Sequence, residues 1–163
     1  MRKVLSLLLL LIVYSSCESD VKFNNPGFQG RKDNFTWRAD VTNASISAAG
    51  DFLIINGYRG LEQVNLTIPL PSTVVTKLTP IIYTLGPDSD AFAAYSYEDE
   101  GLQLAYSTED ALGNGEIILE EYDPVVRKIS GKFKFNARYQ GESSIVPANV
   151  NYQEAVFYKV PLF

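Results

Sequence analysis

Cys17 is the one thiol in the chain, and a thiolate is the soft nucleophile that accepts a diacylglycerol group as a thioether. The residues in front of it suit that chemistry. Arg2 and Lys3 form a basic start, Val4 to Val13 an apolar run broken only by Ser6, and Tyr14-Ser15-Ser16 brings small residues up to the thiol. This order is the layout of a cleaved secretory signal. The apolar run is too short to span a bilayer, which takes roughly 20 residues. The expectation is a signal peptide over 1–16, a lipidated tether over 17–34 and a single domain over 35–163. Each buried methylene contributes about 0.8 kcal/mol, and one acyl chain alone binds marginally, so a stable anchor carries more than one.

The position three before the cysteine, usually Leu in a bacterial lipobox, is Tyr14. Relaxed boxes of this kind resemble those of Bacteroidetes lipoproteins. Glu18, Ser19 and Asp20 directly follow the thiol, which resembles the surface-export signal of the same group. The resemblance implies an outer-membrane lipoprotein held by its lipid, with the cell surface favoured over the periplasmic leaflet.

Other chemistry is thin. Histidine is absent, which removes Ser-His-Asp and Cys-His catalysis and the usual catalytic zinc ligand. Two carboxyl groups could still cleave a glycosidic bond, but Glu98, Glu100, Glu120 and Glu121 fall in turns or on solvent-facing strand positions and read as a solvated acidic face. Asp88-Ser89-Asp90 alternates carboxylates in a turn, yet lacks a full calcium-loop pattern and reads as turn chemistry. No enzyme activity, cofactor or metal is expected.

Aromatic residues offer a different chemistry, because exposed tyrosine rings can stack on the apolar face of a sugar. Tyr95 and Tyr97 share parity, and Tyr83 and Tyr106 are expected in adjacent strands, so these four form the candidate glycan platform. Trp37, Phe133 and Phe135 read as core. The net charge of −5 becomes more negative when Arg2 and Lys3 are removed with the signal. An acidic chain without a basic stripe excludes nucleic acid as a partner. The partners left are the membrane, through the lipid, and an envelope protein or a glycan.

The elements that must position these groups are strands. Phe35 to Asp40, Ala44 to Ala48, Phe52 to Gly57, Glu62 to Leu70, Pro80 to Leu85, Phe92 to Tyr97, Leu102 to Tyr106, Glu116 to Tyr122, Val125 to Tyr139 and Gln153 to Val160 alternate or run apolar between turn residues. Residues 140–151 form a loop with a short strand at Ser144 to Val146. No segment holds a helical period over a helical length. About nine to eleven strands point to an all-β domain, either an antiparallel β-sandwich or a flattened up-and-down barrel. With one cysteine, packing rather than disulfides must hold it.

Asn25-Pro26-Gly27-Phe28-Gln29-Gly30 with Phe35-Thr36-Trp37-Arg38-Ala39 resembles the opening of a family of flavobacterial lipoproteins carrying a domain of unknown function. Gly115-Glu116-Ile117, Ile129 to Ala137 and Asn151 to Pro161 resemble its later strands. The resemblance implies lipidation, a flavobacterial origin and an all-β domain, and it assigns no activity. Where this chain has Ala155 the family commonly has Gly, which implies altered strand geometry there, such as a bulge.

Overall fold

The computed structural model describes residues 27–163. The expected signal peptide, Cys17 and the first part of the expected tether lie outside the described residues. Within them there is no helix. The chain forms β1 (Gly27–Lys32), β2 (Phe35–Arg38), β3 (Val41–Ile46), β4 (Phe52–Arg59), β5 (Glu62–Pro69), β6 (Ile81–Leu85), β7 (Phe92–Asp99), β8 (Leu102–Ser107), β9 (Asn114–Asp123), β10 (Lys128–Tyr139) and β11 (Asn149–Pro161). All belong to one antiparallel sheet in the order β2-β1-β11-β10-β8-β7-β5-β4-β3, with β9 on the first part of β10 and β6 on β9. The sheet curls. A single parallel bridge between Ala44 and Leu162 brings β3 back against the end of β11. The order departs from a simple up-and-down path at β6, which leaves β5 and β7 to pair with each other.

The segment read as a tether contributes β1. Lys32 pairs with Phe35, and the two residues between them, Asp33 and Asn34, both have positive φ, 49° and 70°. That is the geometry of a tight I′ hairpin, which Asp and Asn tolerate. Asp33 N–H donates to the Asn151 carbonyl at 2.8 Å, and its carboxylate accepts Asn151 N–H at 2.9 Å. The short strand expected at Ser144 to Val146 is absent, and those residues form bends.

β11 explains why its pattern reads poorly. Val150 and Tyr152 point inward, then Ala155 and Phe157, then Val160 and Leu162. The parity switches twice, and each switch carries a non-glycine residue at φ 48°, Glu154 and Lys159. The pairing of β11 with β10 shifts register at both places, and its pairing with β1 at the first. These are β-bulges, each adding one residue and turning the next side chains to the other face. The first lies beside Ala155, so the bulge implied there is present.

The inward faces meet in an aromatic core. Trp37, Tyr152, Phe28, Phe135 and Phe157 are at most 2% exposed. Tyr152 packs against Phe135 at 4.8 Å between centroids and edge-on against Trp37 at 5.7 Å. Phe133 touches Phe28, Phe135 and Phe157 at 4.9–6.4 Å. Such pairs add about 0.5–1.5 kcal/mol each beyond burial. Gly131 is required in this packing. A side chain there would run into the Phe157 ring and the Ile118 carbonyl.

Candidate functional site

At one margin of the aromatic core sits a carboxylate. Glu62 opens β5 with the same parity as Val64, Leu66 and Ile68, all fully buried, so the strand turns it inward. Three donors from three other strands converge on it. Lys32 Nζ on β1 and the Tyr95 hydroxyl on β7 both donate to Oε1, the latter at 2.7 Å. Trp37 Nε1 on β2 donates to Oε2 at 2.9 Å. Lys32 also donates to the Tyr95 oxygen at 2.8 Å and lies over its ring at 4.3 Å. Arg59 approaches Oε2 at 4.0 Å.

Burial pushes the Glu62 carboxyl up, but the hydrogen bonds from Lys32, Tyr95 and Trp37 and the Lys32 charge outweigh it. The group is held below its ordinary range and is ionised at neutral pH. The Tyr95 phenol is pushed far up, by burial first and then by its bond to Glu62. The Tyr152 phenol is pushed up, by burial first and then by its neighbours, the Glu62 carboxylate among them. Its buried hydroxyl finds no hydrogen-bond partner among the described residues. With three donors fixed on its two oxygens, Glu62 is placed to join strands rather than to move a proton.

The expected tyrosine platform is divided. Tyr95 and Tyr106 are core residues, 6% and 4% exposed, with rings 5.7 Å apart. Tyr106 donates to the Pro147 carbonyl at 3.1 Å. Tyr97 is half-buried and donates to Asp99 at 3.1 Å. Tyr83 is in β6, which pairs with β9 and not with the strand of Tyr106; its hydroxyl donates to the Pro69 carbonyl at 3.2 Å. Shared parity placed Tyr95 and Tyr97 on one face correctly, but for Tyr95 that face is the core. Cys17, the expected lipidation site, lies outside the described residues. Of the acids considered, Glu120 pairs with Lys132 at 2.6 Å and Glu121 with Lys77 at 3.8 Å, while Glu98 and Glu100 are exposed. The Asp88-Ser89-Asp90 turn is closed by Ser89, whose Oγ donates to the Thr84 carbonyl and accepts Ala91 N–H.

A second polar group lies on the outer face. Asn43, Asn56 and Asn65 stand directly opposite one another on β3, β4 and β5. Asn56 Nδ2 donates to Asn43 Oδ1 at 3.1 Å, and Asn56 Oδ1 accepts from Asn65 at 2.8 Å and Gln63 at 3.2 Å. Thr67 continues the row by donating to Asn65 at 2.9 Å. The result is an ordered row of amides across three strands.

Residues 24–161 match a domain of unknown function, DUF6252. The chain belongs to the DUF6252 family. The match takes in every strand, including β1. No curated protein and no solved structure matches the chain. The Glu62 cluster of this DUF6252 domain was not singled out from sequence. Its signal was present: an acid sharing parity with an apolar strand face.

Proposed function

We propose that this chain is an outer-membrane lipoprotein of flavobacterial type, anchored through Cys17, whose DUF6252 domain binds or scaffolds at the cell envelope without catalysing a reaction. The observation that carries the binding role is the filled interior. Rings of Trp37, Tyr152, Phe133, Phe135 and Phe157 occupy it in mutual contact. Close packing of this kind favours recognition on the outside over a carrier that encloses an apolar ligand. The anchor rests on the signal-like segment and Cys17, and the flavobacterial type on the resemblance. Glu62 is fully engaged by donors and Glu120 is paired with Lys132, which supports a non-enzymatic reading.

The anchor is tested by Cys17→Ser. The variant should lose lipid labelling and leave the membrane fraction; retention of both sinks the anchor. The binding role is tested by a thermal-shift screen of the full chain in detergent against polysaccharides, lipids and calcium. A ligand specific for the folded state at a hundred times its Kd adds about 2.7 kcal/mol.

A carbohydrate-binding role in nutrient capture is the second reading, and the amide row favours it in place of the tyrosine platform. Amides both donate and accept, as sugar hydroxyls do. Asn65→Ala should then weaken a polysaccharide-induced shift. An unchanged shift moves the site elsewhere.

A further inference from the structure

We infer that the end of the domain formed by the β9–β10 turn and the last residues of β11 is a lipid-docking surface, with Val125 and Val126 as its apolar tip. The inference rests on the anchor through Cys17 and adds an orientation to it.

The first argument is where the chain enters the domain. Gly27 pairs with Tyr158, and β1 runs antiparallel to β11. The residues before Gly27 are therefore joined to the domain at the end of β11 that leads to Pro161. On its other side, Pro161 pairs with Lys128, directly after the β9–β10 turn. Tyr158 to Pro161 is three residues, about 10 Å along a strand. The opposite end of β11, at Asn149, lies nine residues or about 30 Å from Tyr158. An acyl chain on Cys17 thus tethers the domain close to the end that carries the β9–β10 turn, about 10 Å along the strand against about 30 Å to the opposite end.

The second argument is what this end presents. Val125 is 88% exposed, Val126 58% and Phe163 73%. The turn is built to hold the valines out. Asp123 Oδ1 accepts both their N–H groups, at 2.8 and 3.0 Å, and the Asp123 carbonyl accepts Arg127 N–H at 2.8 Å. The one carboxylate of the turn is thereby directed at the turn's own backbone. Arg127 at φ 56° closes it and donates to the Leu162 carbonyl at 3.0 Å. Phe163 N–H donates to the Ala44 carbonyl at 2.9 Å, which fixes the neighbouring edge. Arg127 and Lys128 follow the valines as exposed cations. Apolar residues followed by cations match an interface of acyl chains and phosphate headgroups.

The test uses the full lipidated chain in vesicles of phosphatidylethanolamine and phosphatidylglycerol. With Cys17 acylated, an introduced cysteine is the single free thiol. Val125→Cys and Val126→Cys are labelled with an environment-sensitive dye, and Ile145→Cys serves as the reference. Ile145 is 93% exposed in the loop that precedes β11, at the other end of that strand. The expected result is a blue shift and loss of emission to brominated lipid at 125 and 126, with neither at 145. Equal response at the three positions, or none at 125 and 126, overturns the docking surface while the anchor stands. Failure of the chain to enter vesicles, with Cys17 itself taking the dye, overturns the anchor and the orientation with it.

Discussion

Trp37 and Glu62, 25 positions apart in sequence, are joined by an indole N–H···carboxylate bond of 2.9 Å that ties β2, at one margin of the curled sheet, to β5 across the interior. Lys32 and Tyr95 hold the other oxygen. Removing Glu62 strands these donors in a partly buried place. Glu62→Ala should lower stability by about 2–4 kcal/mol, measured by urea unfolding. A loss below about 0.5 kcal/mol, ordinary for a surface site, would falsify the stitching role.

The same carboxylate sets an acid dependence. Its folded pKa lies below the ordinary value of 4.5, so its stabilisation is complete above that value. It is lost as pH falls from about 4.5 through the lowered folded value. Glu62→Gln should be less stable at pH 7 and should show a shallower decline below pH 4.5. An unchanged acid limb would assign that decline to other carboxylates.

Two tyrosine hydroxyls one ring contact apart should behave oppositely. Tyr95→Phe removes a donor to Glu62 and should cost about 1–3 kcal/mol. Tyr152→Phe removes a hydroxyl that has no partner among the described residues and should leave stability equal or higher by about 1 kcal/mol. Thermal denaturation of both variants decides it. A clear loss in Tyr152→Phe would show that the hydroxyl is engaged.

Gly30 faces the first bulge of β11. A side chain at Gly30 would overlap the Ala155 Cβ, with the Ala155 Cα at 2.9 Å. Gly30→Ala should therefore cost about 1–3 kcal/mol through overpacking. Adding Ala155→Gly should recover part of that loss, because one of the two colliding groups is gone. A double-mutant cycle with no coupling between the positions would show that the strands move apart instead.

How much of this was legible follows from where periodicity holds. β4, β5, β7 and β8 keep strict parity, and their hairpins read directly from Leu53, Val64, Ala93 and their neighbours. β11 hides its pattern because Glu154 and Lys159 each insert a residue. β1 was passed over because Pro26, Gly27 and Gly30 look like tether, although Asp33-Asn34 carried the turn signal. Parity states which residues share a face but not which face is buried, and this is why Tyr95 and Tyr106 were expected outside. The Glu62 cluster draws on four strands, and no local pattern encodes such a meeting. The amide row was visible only as polar alternation, since its cross-strand register depends on the β3–β4 and β4–β5 turns.

The pairing of Gly27 with Tyr158 also bears on how the chain is made. The earliest strand of the domain waits for the latest, so β1 has no seat on the sheet until nearly the whole polypeptide has been synthesised. Contacts of such long sequence separation close slowly. The β1–β2 hairpin is therefore the last piece to be seated, after the local hairpins β3–β4, β4–β5 and β7–β8 have had every opportunity to form.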